Sequence, residues 1–534
     1  MDNPVLARLR TWLTADDPHV AVGAALGVAA AAGLVVGALL GWLGPVLAVG
    51  LAGTLVVGML LLRSTEWGLL ALLALICLLP YAAVPLDIGF KPTFIDLALL
   101  ALFGVWLMRI ATGRGAAARR TFEASVPPHP APRLSPRSQG TALGTLILAF
   151  LLWTLVTFVA GLAHSPLSAT VLRRFVEVLL AVSLFFVVVN QVRNLDVLRR
   201  ATATIVVAGG LSGFLGLLFY ILPGEWTVSM LSRLAVFNYP SGAGILRFVE
   251  DDPNQPMRAI GTSIDPNALG GLLVILTAVA VVQLFARQPV LPRRWLALLT
   301  GLMALCLLLT YSRGSMIGLV AGLALAGVLR YRKILLVLGI MAAVALILPP
   351  TQVYVARLIE GLQGQDLATQ MRFGEYKDAL TLIGRYPVSG IGFTGTPDID
   401  LYLGVSMLYL LIAEQVGLVG LFLYIVVVAT DFVVTLSAWR HLPAGHPAES
   451  YLLAYQAALA GALVGGVFDH FFFNINFIHL VALFWVVTGL GIASARLLEP
   501  AAAVHRVATG PPGQVLRHGN PLANTGDYRR HPAA

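Results

Sequence analysis

Charge is scarce in this chain. Asp, Glu, Lys and Arg together make up 11% of its 534 residues, where a soluble domain carries about 25%. So little charge cannot cover a large water-facing surface, and a soluble globular protein is excluded. Cysteine is nearly missing. Cys77 and Cys306 both lie inside apolar runs, with no metal-ligand spacing and no disulfide framework, and both read as small core residues. No short alternating segments recur, which excludes a transmembrane barrel. No internal repeat is visible, direct or inverted, of the kind many transporters carry. No cleavable leader is expected: the start, MDNPVLARLRTWLTADDPHV, is polar, and the first apolar run leads directly into another.

What the chain does have is apolar length. It is 58% hydrophobic, with a mean hydropathy of +0.85. Runs near 20 residues recur along it, enough to cross about 30 Å of hydrocarbon. The pattern predicts an all-α, polytopic helical membrane protein with 12–14 transmembrane helices. Fourteen spans are expected, at 20–41, 45–62, 67–84, 95–108, 141–161, 174–189, 201–222, 267–286, 295–311, 315–329, 334–350, 408–437, 452–470 and 477–496. The twelfth is too long for one straight crossing, so Ser406–Gln415 is expected to form a lead-in helix at the interface.

Alternating these spans across a bilayer separates the charges. With the N-terminus inside, the inner segments hold 24 of the 35 Lys and Arg and the outer segments 11. That bias predicts both termini on the cytoplasmic side of a cytoplasmic membrane. It also accounts for the net charge of +9 without nucleic acid. The expected organisation is a short cytoplasmic N-terminus (1–19), N-terminal helices (20–108), a basic Pro-rich linker (109–140), a membrane core (141–497) and a polar tail (498–534). The linker arginines would lie against anionic headgroups.

Most outer loops are short, but 223–266 and 351–405 are long. They hold most of the outer charge, as expected where function rides on a helical scaffold. The first ends in Asp265-Pro266-Asn267, a helix-start signal, with Arg258 shortly before it. The second contains LATQMRFGEYKDALTLIGRYPVSGIGFTG, with Arg372, Glu375, Lys377, Asp378 and Arg385 within fourteen residues. Its periodicity predicts a surface helix, with Phe373, Tyr376, Ala379, Leu380 and Ile383 on one face and Arg372, Glu375 and Asp378 beside or opposite. The helix breaks at Pro387, Gly390 and Gly392. TYSRGSMIG places Arg313 at the tip of a hairpin between two spans. VLRRFVEVLL places Arg173 and Arg174 at an outer span end, with Glu177 one turn below and able to pair with either. A single arginine at a span end ordinarily snorkels to headgroups. Four such sites on the face from which the orientation rule depletes arginine point to a shared ligand.

An anionic ligand with a lipid tail fits that placement. A guanidinium binds phosphate in bidentate fashion and stays charged. A polyprenyl-diphosphate sugar would put its tail between helices, its diphosphate at the interface and its sugar outside. Transfer would need stabilisation of the departing diphosphate and a base for the acceptor hydroxyl. Arginines could fill the first role in place of a metal ion.

Four segments resemble the O-antigen ligase and O-antigen polymerase superfamily of bacterial envelope polysaccharide assembly. RAIGTSIDPNALGGLLVI is similar to its Arg-x-x-Gly-Thr-x-x-x-Pro-Asn segment. LLLTYSRGSMIGLVAGL resembles its Thr-x-Ser-Arg-Gly hairpin. MRFGEYKDALTLIGRYPVSGIGFTG resembles its arginine-plus-helix loop ending in Pro-x-x-Gly-x-Gly. MLYLLIAEQVGLVGLFLYI resembles its Tyr-Leu run into the next span. Order and spacing agree over about residues 140–495. The resemblance implies a GT-C-like membrane glycosyltransferase, metal-independent and without a cofactor, acting outside the cytoplasmic membrane. The donor would be an undecaprenyl-diphosphate-linked glycan and the acceptor a glycan or lipid, among membrane lipids and other polysaccharide-assembly membrane proteins. By motif, Arg258, Arg313 and Arg372 become the candidates for diphosphate binding, with Arg174, or Arg173 in its place, as a fourth.

One departure stands out. Ligases of the family place a His-Asn pair just before the Tyr-Leu run, with the histidine as base. Val405 and Ser406 stand there in this chain, and valine cannot take a proton. Asp398 and Asp400, a few residues upstream, are the base candidates. Asp469 and His470 sit at an outer span end, where the histidine could act as a base at its unperturbed pKa of about 6.5 or, with Asp469, form a polar interfacial cap among Phe471–Phe473. Glu414 reads as a residue that structures the loop. Two other functions fit the composition: a flippase for lipid-linked glycans, and a non-catalytic member that kept the fold.

Overall fold

The computed structural model describes residues 64–85, 89–111, 136–163, 166–347, 367–395, 404–442 and 446–509, with isolated positions between 352 and 364. The first two expected spans, most of the 109–140 linker, Asp398, Asp400 and the end of the tail lie outside the described residues.

Each of the other twelve expected spans is a helix. In chain order these are α1 (Thr65–Leu78), α2 (Phe94–Ala111), α3 (Pro136–Gly161), α4 (Ala169–Gln191) and α5 (Leu195–Ile221). A short helix in the first long loop, α6 (Gly224–Arg233), comes next. Then follow α7 (Pro266–Phe285), α8 (Arg293–Leu309), α9 (Arg313–Leu329) and α10 (Arg332–Ile347). The loop helix α11 (Leu367–Arg385) precedes α12 (Leu408–Arg440), α13 (Pro447–Gly465) and α14 (Ile478–Thr509). No strand forms among the described residues; Ala83–Thr93 and Phe248–Met257 make isolated bridges. Five segments are long and apolar enough to cross a membrane: Ala142–Gly161, Leu195–Ile221, Pro266–Phe285, Leu408–Arg440 and Ile478–Leu497. This is a multi-pass helical membrane architecture.

The centre of the bundle is α7, α13 and α14. The membrane-length window of α14 is wholly buried within the protein and that of α7 83% buried, so neither carries an amphipathic stripe. A helix apolar all round belongs in the interior. Close approach replaces bulk at the α9–α13 contact. A side chain on Gly318 would strike Gly461 O, and one on Gly322 would overlap Ala457 O. Small residues let membrane helices pack backbone to backbone where lipid supplies no hydrophobic drive. Gly322→Val is expected to destabilise the fold by about 2–4 kcal/mol through overpacking, read as a lower midpoint of thermal unfolding in detergent. The N-terminal helices join the same core: Leu69, Leu72 and Ile76 of α1 cluster with Val188, Leu198 and Leu483.

The long α12 does bend. Gly417 sits at φ 72°, ψ 176° inside it, dividing a lead-in (408–416) from the span proper. The Pro-x-x-Gly-x-Gly loop packs into this bend. Leu418 N donates to Pro387 O at 2.8 Å, Ile391 N to Glu414 O at 2.9 Å and Gly392 N to Gln415 O at 3.0 Å. The loop also grips α3, where Thr394 Oγ1 donates to Gly161 O at 2.8 Å. The glycines of this motif therefore serve close backbone contact.

Candidate active site

The loop-bearing ends of the helices gather at one end of the bundle. Asp265 starts α7, its side chain accepting from Ala268 N at 2.7 Å with Pro266 at the first helical position, as the sequence signals. Ala259 N donates to Leu309 O at 2.8 Å, so the segment before α7 lies against the end of α8. Leu408 N donates to both Gly466 O (2.8 Å) and Asp469 O (3.0 Å), joining the start of α12 to the turn after α13. Two non-glycine residues beside this region hold left-handed backbone, Ile264 (φ 60°) and Tyr311 (φ 54°). For a β-branched residue such as isoleucine that is an outlier, and such strain clusters at functional sites.

Arg258 is half-buried and pre-oriented. Its Nε donates to Thr310 O at 2.8 Å, and its Nη2 donates to Asn267 Oδ1. The Asn of the Pro-Asn pair thus aims an arginine nine residues back. Arg313 begins α9 directly after the Tyr311 turn, and Gly361 leaves room for its guanidinium. Gly314 follows because Phe468, one residue before Asp469, presses on it.

Arg372 lies on α11, the helix expected over this stretch. The helix is turned differently from the sequence reading. Phe373 and Leu380 face away from the protein, each 58% exposed, while Tyr376, Ala379, Leu382 and Ile383 face inward. Arg372 and Glu375 lie on the inward side. The reason is a polar anchor: Glu375 Oε2 accepts from Ser406 N at 2.9 Å. The start of the lead-in, including Val405, packs with Ala379 and Leu411. Val405 is 1% exposed, so the position where the family histidine stands is here a packing position.

Arg372 and Arg258 both act electrostatically on Asp469. Burial raises the Asp469 carboxyl to about 8, while Arg372, the backbone N–H of His470 and Arg258 pull it back down and Asp265 adds to the rise. His470 beside it is lowered to about 4, first by burial and then by the charge of Arg372. Two arginines from segments more than a hundred residues apart therefore act on one carboxyl.

Arg174 sits elsewhere at this end. It lines a cavity of about 430 Å³ with Lys91, Arg247, Asn238, Asn476 and Asp265. Its Nη1 donates to Asn476 Oδ1. Arg173 is tied down instead, at 2.7 Å from Asp96 and 2.8 Å from Glu177. Both arginines line the cavity; what separates them is that Arg173 spends its charge on two carboxylates while Arg174 is held by a neutral amide. Asp265 borders both the cavity and Asp469. Arg173→Ala is expected to cost about 3–5 kcal/mol, because it strands two mostly buried carboxylates. Thermal unfolding of the purified variant measures this. Sequence reasoning missed Lys91 and Arg247, which are exposed and isolated in the chain and meet only across folded loops.

Glu414 lies within α12, buried, accepting from Gly404 N at 3.4 Å and Gln415 Nε2 at 3.3 Å. It ties down the loop before the lead-in, the structural role the sequence suggested.

Residues 296–425 match the family model described as O-Antigen ligase. The match supports placing this protein in the O-antigen ligase and polymerase superfamily. It runs from α8 through the bend of α12, and so holds Arg313, Arg372 and the glycine loop. Arg174, Arg258, Asp469 and His470 lie beyond it. No curated protein matches the chain. The family segment supports an O-antigen ligase type of function in polysaccharide assembly, a glycosyl-transfer activity on lipid-linked glycans.

Proposed function

We propose that this protein is a membrane glycosyltransferase that polymerises or ligates undecaprenyl-diphosphate-linked oligosaccharides on the outer face of the cytoplasmic membrane. The observation that carries the reading is that Arg258 and Arg372 both act on the buried Asp469, at the end of the bundle that also holds a cavity lined by Lys91, Arg173, Arg174 and Arg247. In this reading Arg372, Arg258 and Arg313 hold the departing diphosphate, and Arg174 holds an anionic part of the glycan in the cavity. Guanidinium forks stabilise the charge that develops as the sugar–diphosphate bond breaks, with no metal ion or other cofactor required. The lipid tail lies along the apolar flank of the bundle. The charge bias supports an orientation with both termini in the cytoplasm and this end of the bundle outside, in a GT-C-like arrangement of membrane helices and long outer loops. The acceptor is a second glycan or a lipid, delivered by neighbouring assembly proteins.

A gene deletion followed by sizing of envelope glycans tests this. Collapse of long chains to single repeat units identifies a polymerase. Long chains accumulating on the carrier identify a ligase. Repeat units trapped on the cytoplasmic side identify a flippase and overturn the proposal, and so does an unchanged glycan profile in a strain without a paralogue.

A further inference from the structure

The transfer reaction needs a base, and Val405 cannot be one. We propose that His470 is the base that deprotonates the acceptor hydroxyl, with Asp469 as its positioning residue. This rests on the glycosyltransferase reading above.

Five other acids at this end are committed. Asp265 caps α7 through Ala268 N, Glu375 holds Ser406 N, Glu414 holds Gly404 N, and Asp96 and Glu177 hold Arg173. The Asp469–His470 pair has a different geometry. Asp469 Oδ1 accepts from His470 N at 2.9 Å and stands 3.4 Å from His470 Nδ1. The backbone contact fixes the carboxylate against the ring, and Phe471 and Phe477 hold the ring from its sides, with centroids at 5.3 and 5.7 Å. Nδ1 is buried, yet the imidazole is 22% exposed. Nδ1 makes no hydrogen bond in this structure, and the Asp469 carboxylate at 3.4 Å is the acid beside it. A proton placed on Nδ1 would face that carboxylate and leave Nε2 as the acceptor nitrogen.

The position is also apt. Asp469 O accepts from Leu408 N at 3.0 Å, so the pair adjoins the start of the lead-in, three residues from Val405. The imidazole missing from position 405 is thereby supplied from a different segment, the turn between α13 and α14. The diphosphate ligand Arg372 faces the same pair.

The step balances as follows. His470 Nε2 takes the proton of the acceptor hydroxyl. The oxygen lone pair forms the new bond to the anomeric carbon. The bond from that carbon to the diphosphate oxygen breaks, and its electron pair leaves with the diphosphate onto Arg372. The proton on the imidazolium is then lost to water. Burial is the first cause that holds His470 low and the Arg372 charge the second; diphosphate binding offsets the second, so the ring becomes more basic when donor is present. An ionised Asp469 stabilises the imidazolium as it forms.

The titratable and charged groups that act on the pair are Arg372 and Tyr376 from α11 and Arg258 and Asp265 from the segment before α7. His470 is neutral above a pH of about 4. Asp469, raised to about 8, is neutral below that pH and ionised above it. Transfer is therefore expected to rise with pH through about 8 as the productive pair forms.

The test uses the full-length protein in detergent, with lipid-linked oligosaccharide extracted from the deletion strain as both donor and acceptor. H470Q is expected to lower the transfer rate by roughly 10²–10⁴-fold while still binding undecaprenyl diphosphate. D469N is expected to transfer slowly and to lose the rising limb near pH 8, which a merely structural change would not remove. Wild-type rates in H470Q overturn the proposal. If H470Q fails to fold, D469N decides: a rising limb that persists in it overturns the assignment. Transfer retained in H470Q but lost in R372A sinks the base while leaving the glycosyltransferase reading intact. No transfer by the wild-type protein removes both.

Discussion

Arg372→Ala is expected to lower glycan transfer by about 10²–10³-fold, the cost of one donor aimed at developing charge, while the protein stays folded. The fold should tolerate the change because α11 is held by other contacts. Ala379, Leu382 and Ile383 bury its inner stripe, and Glu375 bonds the Ser406 backbone. Arg372→Lys should fall between the two, since an ammonium keeps the charge and loses the planar fork. The residual activity of Arg372→Ala carries a second signature. Arg372 is the largest influence holding the Asp469 carboxyl down against burial. Without it the carboxyl ionises at higher pH, and the rising limb of the rate profile should move to higher pH. Initial rates across pH, with a thermal melt of the same preparation, check both statements. Full activity in the variant would remove Arg372 from the site. A collapsed melt would make it structural.

Gly417→Ala is expected to abolish the folded protein, with a loss above about 4 kcal/mol, an exceptional size for a single methyl group. Gly417 occupies a backbone region open essentially to glycine alone, where strain by itself costs about 1–3 kcal/mol. An added Cβ would also overlap Val388 O and press on Gly390 N. The loop cannot retreat, because Pro387 O, Ile391 N and Gly392 N are all bonded to the two sides of the bend. Detergent-extracted yield and size-exclusion profile of the variant measure it. A monodisperse, wild-type-like Gly417→Ala would show that the bend is not required.

Much of the fold was legible because its cause is local. About 20 apolar residues in a row must form a helix in lipid, where every backbone group has to be satisfied internally. That requirement placed helices at the twelve described positions, five of them long and apolar enough to cross a membrane. Asp265-Pro266 announced the start of α7 through the cap and the fixed proline φ. The excess length of the twelfth span announced its bend, although the hinge lies at Gly417, just past the expected lead-in. The rotation of α11 was not legible. Its apolar residues cover two sides, and only the bond from Ser406 N to Glu375, 31 residues away, selects the inward one.

The candidate site divides in the same way. Four arginines could be named from motif and from their placement against the charge bias. Which of Arg173 and Arg174 is available to a ligand could not be read, since Glu177 suits either by spacing. Asp96, 77 residues from Arg173, decided it. From the sequence His470 could be a base or an interfacial cap, because its neighbours in sequence are phenylalanines and do not decide between the two. Its other neighbours, Arg372 and the start of α12, arrive only when three segments meet.

By itself the sequence determined that this protein is an all-helical, multi-pass membrane chain, where most of its helices lie, and which arginines sit at the charge-poor end. Hydropathy and capping are properties of contiguous residues, so they need no fold to be read. The tertiary structure alone decided which charges are spent on one another and which remain for a ligand. Coulomb interactions and hydrogen bonds depend on distance in space, and in this protein the distances that matter join residues far apart in the chain.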